Sequence, residues 1–187
     1  LQDLVTGGKM SRLGKLHINI PQGVNVSVKD NVVTVKGKMG SLQKDILPGL
    51  TVKVENNEVI VEDVEKSKIS NMYQGTMRAL INNMVIGVTN GFSKELILEA
   101  REYKAQLEGK NLKLSLGFSH PVIIQAVEGI KFEVPEEKRV IVSGIDKQVV
   151  GLIADKIKKL RKWEPYISKG IKYKGEKVRK KERKTGV

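Results

Sequence analysis

The chain has 187 residues and 20.8 kDa, enough for one ordinary domain or two small ones, and a hydrophobic fraction of 40% is sufficient to fold them. Its 34 Lys and Arg against 21 Asp and Glu give a formal charge of +13 and a pI near 9.8, which makes a polyanion the first partner to consider. The absence of cysteine excludes disulfides, thiolate zinc sites, iron–sulfur clusters and a cysteine nucleophile, and no apolar run reaches the roughly 18 residues of a membrane span.

No charged-then-apolar leader opens the chain, so a soluble protein of a reducing, intracellular compartment is expected. Residues 1–9 precede Met10 in the run Met10-Ser11-Arg12-Leu13-Gly14-Lys15 and read as an upstream extension, a processing remnant or an appended segment. Residues 1–19 are taken as an N-terminal extension and arm. Val24, Val26 and Val28 then alternate, Asp30-Asn31 supplies a turn, and the β-branched run Val32-Val33-Thr34-Val35 returns to Gly37, which predicts a hairpin. Leu50, Val52 and Val54, the turn Asn56-Asn57 and Val59-Ile60-Val61 predict a second. The period then changes. Ile69, Met72, Tyr73, Leu80, Met84 and Val88 recur at three- and four-residue spacing, the apolar face of a helix closed by Gly87 and Gly91.

The same order repeats. Ala105 to Leu116 forms a hairpin around Gly109-Lys110-Asn111. Ile130, Phe132 and Val134 alternate, Val140-Ile141-Val142 returns, and Asp146 caps a helix whose buried stripe is Val149, Leu152, Ile153, Ile157 and Leu160. Pro48-Gly49-Leu50 aligns with Glu128-Gly129-Ile130 at an offset of 80 residues, and Gly37 with Gly117 at the same offset. The expected fold is α+β, with two tandem similar domains at 20–90 and 91–162. Each is an antiparallel sheet covered on one face by a helix, and a basic C-terminal extension follows at 163–187.

The charge is concentrated at the C-terminal end, from the last part of the second helix through that extension. Residues 1–155 hold 20 basic and 18 acidic residues, whereas residues 156–187 hold 14 and 3. A near-neutral body with a basic end is a body built to fold and an end built to bind. Trp163, Pro165, Tyr166, Gly170, Ile171, Tyr173 and Gly175 interrupt the cations, a pattern that a solvated disordered tail does not need. Trp163 and Tyr166 read as anchors of the tail in preference to base-stacking rings, and the glycines allow close backbone approach to a phosphate. Removal of residues 165–187 is expected to leave the body folded.

Little in the chain suggests catalysis. His17 and His120 are the only histidines, and neither stands at a recognisable spacing from a second metal ligand or a Ser and Asp. Asp146 is explained by capping, and Glu136 and Glu137 read as solvated turn residues. Gly37-Lys38-Met39-Gly40-Ser41 lacks the glycine spacing and terminal Gly-Lys-Ser/Thr of a phosphate loop. No enzyme activity and no cofactor are expected. A free-standing, non-catalytic RNA- or DNA-binding regulator is the alternative to a structural role.

Met10 to Lys15, Gly75-Thr76-Met77-Arg78-Ala79-Leu80 through Gly91-Phe92, Ala105-Gln106-Leu107-Glu108-Gly109-Lys110, Gly117-Phe118-Ser119-His120-Pro121-Val122, and Gly144-Ile145-Asp146-Lys147-Gln148-Val149-Val150-Gly151 stand in one order along the chain. Together these stretches are similar to the bacterial-type family of ribosomal protein six of the large subunit. Two departures stand out. The family tail Pro-Tyr-Lys-Gly-Lys-Gly-Ile is here Pro165-Tyr166-Ile167-Ser168-Lys169-Gly170-Ile171, and the family's Gly-x-Gly before a tyrosine is replaced around Ala100-Arg101-Glu102-Tyr103.

The resemblance implies a structural constituent of the large ribosomal subunit, its second domain and tail on large-subunit ribosomal RNA near the sarcin-ricin loop and the translation-factor site. Implied partners are that RNA and neighbouring ribosomal proteins, with no membrane, small-molecule substrate or homo-oligomer. The implied location is cytoplasmic and ribosome-bound, an organellar ribosome being left open. Candidate RNA-binding residues are Lys159, Arg161, Lys162, Tyr166, Lys169, Gly170, Lys172, Tyr173, Lys174, Lys177, Arg179, Lys180 and Lys181, the cations neutralising phosphates. Ser119 and His120 are second-tier candidates through the resemblance, and Lys36, Lys38 and Lys44 form a third tier.

Overall fold

The computed structural model describes residue 14 and residues 16–182, so most of the expected N-terminal arm and the last five residues of the tail lie outside the described residues. The chain divides into two compact units, Leu1–Asn90 and Gly91–Val187.

In the first unit, β2 (Asn25–Lys29), β3 (Val32–Gly37) and β4 (Gly40–Asp45) form one antiparallel sheet, while β1 (Ile18–Asn19), β6 (Glu58–Asp63) and β5 (Leu50–Glu55) form a second in the order β1-β6-β5. The hairpins β2–β3 and β5–β6 turn through Asp30-Asn31 and Asn56-Asn57, all four residues at positive φ. A two-residue turn of this hand matches strand twist and favours Asn and Asp, whose short side chains tolerate the left-handed region. Val33, Val35, Val59 and Val61 point inward from the paired strands.

Helix α1 (Lys68–Asn90) covers this core, and Ser67 and Ser70 cap it reciprocally, each hydroxyl accepting from the other's backbone N–H at 2.9–3.0 Å. Its buried face consists of Ser70, Gln74, Met77, Ile81, Met84, Val85, Gly87 and Val88. Ile69 and Met72, expected in the apolar stripe, are 62% and 72% exposed. Periodicity finds the stripe but not its rotation, and Gln74, which donates to the Val61 carbonyl at 2.8 Å, takes the inward position in the first turns. Gly87 lies inside the helix, and Gly91, at φ +72°, follows its end.

The Gly37-to-Gly40 segment is the β3–β4 turn. A Cβ on Gly37 would stand 2.7 Å from Val88 Cγ2 and 2.8 Å from the Val88 carbonyl, so glycine here lets the hairpin close against the end of α1.

The second unit repeats the plan. β8 (Lys104–Glu108), β9 (Asn111–Ser115) and β10 (Val122–Ile124) form one sheet. The other has the order β11-β12-β7-β13, from β11 (Ile130–Glu136), β12 (Arg139–Gly144), β7 (Phe92–Glu99) and β13 (Gly170–Tyr173). The sheets β2-β3-β4 and β8-β9-β10 correspond, as do β1-β6-β5 and β7-β12-β11. Gly49 and Gly129, the aligned pair, share φ +78°. Each unit therefore carries two small sheets where the sequence predicts one.

Helix α2 (Lys147–Leu160) starts at Asp146, whose carboxylate accepts from the Gln148 N–H at 2.8 Å as its spacing predicts. Val150, Ile153, Ala154 and Ile157 are buried under it, whereas Leu152, expected in the stripe, is 70% exposed.

Strand β13 has no counterpart in the first unit and none in the sequence reading. It pairs antiparallel with β7, Gly170 opposite Glu99 through Tyr173 opposite Leu96, and Ile171 is 0% exposed within the cluster of Leu96, Leu98, Leu112, Leu114 and Ile157. Residues 165–187, expected to be separable from the body, therefore supply part of it. Their loss strips an edge strand and a core side chain from the second unit.

Candidate nucleic-acid interface

Beyond α2 the chain turns back on itself before entering β13. Glu164 and Lys169 form a bridge, with the Glu164 N–H donating to the Lys169 carbonyl at 2.8 Å, and the Ile171 N–H reaches the Arg161 carbonyl at 3.0 Å. Ser168, in a glycine position of the family tail, has φ +55°, a left-handed conformation that glycine adopts freely. Gly170, at φ +146°, is buried, and a Cβ there would stand 2.6 Å from Trp163 Cα. Its close approach is to the backbone of Trp163, an internal role.

Carboxylates then sort the candidate cations into two groups. Lys172 pairs with Glu99, Lys174 with Glu95 at 2.7 Å, Lys169 with Glu102 at 3.0 Å and Lys159 with Asp155 at 2.7 Å. Lys158 donates to both oxygens of Glu176 at 2.5 and 2.7 Å. Glu102, which stands where the family has its Gly-x-Gly, thus holds a tail lysine. Arg161, Lys162, Lys177, Arg179, Lys180 and Lys181 pair with no carboxylate among the described residues, and all six are exposed. Both groups look alike in the sequence; what separates them is the acid on β7 and its flank, with Asp155 of α2 taking Lys159.

The rings play mostly structural parts. Trp163 is half-buried with Lys172 Nζ 5.4 Å from its ring, and Tyr173 is half-buried between Lys158 at 4.6 Å and Lys94 at 5.5 Å. Burial pushes the Tyr173 phenol above its ordinary value. Tyr166 is 50% exposed, with Lys181 Nζ 5.8 Å from its ring, while the Lys181 N–H donates to the Pro165 carbonyl at 3.1 Å and folds the end of the chain back. Phe118 carries the guanidinium of Arg161 at 4.6 Å, which brings the exposed turn bearing Ser119 and His120 beside the end of α2. Lys36, Lys38 and Lys44 are exposed on the β3–β4 hairpin of the first unit.

The paired carboxyls are shifted in one direction. Hydrogen bonds from Lys174 and then Arg139 hold Glu95 below its ordinary value of 4.5. Glu102 is lowered by a backbone hydrogen bond and then by Lys169, and Glu176 by Lys158 and then the Tyr173 N–H. A carboxyl whose folded value is depressed contributes stability that is fully present above the unfolded value and is lost as pH falls through the folded one. Acidification below 4.5 is therefore expected to loosen β13. Hydrogen-exchange protection at Ile171–Lys174, followed from about pH 6 to about pH 3, should fall faster than protection in β12. Parallel behaviour of the two strands would contradict it.

One set of tail cations is thus neutralised where the segment docks on the duplicated α+β scaffold, and a second set stays exposed with no carboxylate partner among the described residues. Residues 20–91 and 101–174 match the family model described as Ribosomal protein L6. The chain is 52% identical over 178 residues to the large ribosomal subunit protein uL6 of Clostridium novyi, covering 95% of this chain and 99% of that one. It is 50% identical over 179 residues to uL6 of Halothermothrix orenii, covering 95% and 100%, and 53% identical over 178 residues to uL6 of Clostridium kluyveri, covering 95% and 99%. The chain belongs to the ribosomal protein L6 family, which makes it a ribosomal component and not an enzyme.

Proposed function

We propose that the chain is a structural constituent of the large ribosomal subunit in the cytoplasm and binds large-subunit ribosomal RNA through its second unit and basic C-terminal segment. The observation that carries the reading is the separation of the tail cations. Lys169, Lys172 and Lys174 are spent on holding the segment to β7 and its flanks, so Arg161, Lys162, Lys177, Arg179, Lys180 and Lys181 are held ready to meet phosphates. Because the ribbon is ordered by its own protein, RNA binding does not have to supply that ordering entropy.

Lys159, already paired with Asp155, contributes less net charge, and Gly170 and Tyr173 shape the ribbon from within. Ser119 and His120 flank the Arg161 end of the surface. The family resemblance supports a position for this surface near the sarcin-ricin loop and the translation-factor site, with ribosomal proteins as neighbours. Recognition is of shape, since folded RNA displays phosphates and ribose hydroxyls more openly than base edges. Lys36, Lys38 and Lys44 give the first unit a smaller set of phosphate-reaching cations.

Sedimentation through a high-salt gradient tests the assignment against a free-standing regulator. A resident component stays with the large particle and is released by ribonuclease, whereas recovery in the soluble fraction before RNA digestion would contradict the proposal.

A further inference from the structure

We infer that Phe118 is a positioning residue for RNA binding, holding the Arg161 guanidinium as a preset fork for one phosphate. The inference rests on the ribosomal RNA reading above and assigns one element of that surface.

Arg161 ends α2, where a free arginine side chain samples many rotamers. Two contacts remove that freedom here. The guanidinium lies over the Phe118 ring at 4.6 Å, and its Nε donates to the Leu116 carbonyl at 3.3 Å. Both contacts come from one turn, whose direction is set by Gly117 at φ +72°. With Nε used and one face stacked, the two terminal nitrogens remain, and they are the pair that matches two phosphate oxygens in one plane.

The acid whose charge Arg161 feels, Glu102, is occupied. Arg161 exerts only a minor through-space pull on Glu102, whose carboxylate already pairs with Lys169. Lys162 stands next in the chain, exposed and without a carboxylate partner among the described residues, so the fork lies in a locally positive surface. Phe118 is 44% exposed, an unfavourable place for a large apolar ring unless the ring has work to do there. Its face carries a cation, and this accounts for its exposure better than core packing does.

The test uses the full chain and deproteinised large-subunit ribosomal RNA in filter-binding titrations across salt. Phe118→Leu keeps the apolar bulk and removes the π face, and should weaken binding about three- to fivefold. The slope of log affinity against log salt should stay unchanged, because no charge is lost. Phe118→Tyr should restore wild-type affinity. In an Arg161→Lys background, where no planar fork remains, Phe118→Leu should have no further effect. The inference is overturned by wild-type affinity in Phe118→Leu, by failure of Phe118→Tyr to restore binding, or by an equal loss in the Arg161→Lys background. Failure of the wild-type chain to bind the RNA at any salt overturns the ribosomal RNA reading itself, an outcome distinct from those three.

Discussion

Truncating Ile171 to alanine is expected to destabilise the second unit by about 2–5 kcal/mol, although the residue lies in the part of the chain that charge marks as a tail. Ile171 is 0% exposed and packs in the same cluster as Leu96, Leu98 and Ile157. Removing its branched end leaves a cavity between β7 and α2 that rigid backbone on both sides cannot fill. The strand is held at both ends. Gly170 admits the close approach to Trp163, and Tyr173 is tied to Glu176 by backbone and side-chain hydrogen bonds at 3.0–3.1 Å. Gly170→Ala should act in the same direction, because it places a Cβ 2.6 Å from Trp163 Cα at a φ of +146°. Denaturant melts of the full chain check both substitutions. A shift of less than about 0.5 kcal/mol for Ile171→Ala would mean that β13 is not docked.

The second large effect is on binding. Replacing Lys177, Arg179, Lys180 and Lys181 together by glutamine should lower affinity for large-subunit ribosomal RNA by at least on the order of a hundredfold at moderate salt. The wild-type chain, with six unpaired tail cations engaged, should show a log–log salt slope of roughly −4 to −5, and the variant a slope shallower by roughly three to four. None of the four side chains makes an ion pair with a described residue, so the substitutions should leave the fold intact. Parallel salt lines for wild type and variant would show that these cations do not reach phosphates. Neutralising Lys169, Lys172 and Lys174 is the informative contrast. Those changes act by releasing the ribbon from Glu95, Glu99 and Glu102 and should reduce hydrogen-exchange protection in β13, which the first set leaves untouched.

How much of this was legible in the sequence follows from the range of the interactions. The turns at Asp30-Asn31 and Asn56-Asn57, the Asp146 cap and the Gly49–Gly129 repeat are local, so residue type and spacing disclose them. Period discloses most of the inward faces of the helices, with Met84, Val88, Ile153 and Ile157 buried as their spacing predicts, but Ile69, Met72 and Leu152 lie outside the buried stripes because their neighbours across the interface, not their period, decide burial. Strand β13 has no such signal, because four residues reading Gly-Ile-Lys-Tyr are too short to carry an alternation. The charge excess was plain, but its division was not. Lys169 meets Glu102 across 67 residues and Lys174 meets Glu95 across 79, pairings that exist only once β13 is aligned on β7. For the same reason nothing in the sequence around Phe118 discloses that Arg161 lies over its ring, 43 residues further on.

Crosslinking of this protein to RNA within purified large subunits, with the linked peptides mapped by mass spectrometry, is the most direct measurement of where the protein meets the nucleic acid. The expected result is adducts at or beside Arg161, Lys162 and residues 177–181, with few at the carboxylate-paired lysines of β13. Adducts confined to the first unit, with residues 161–181 unmodified, would contradict the account.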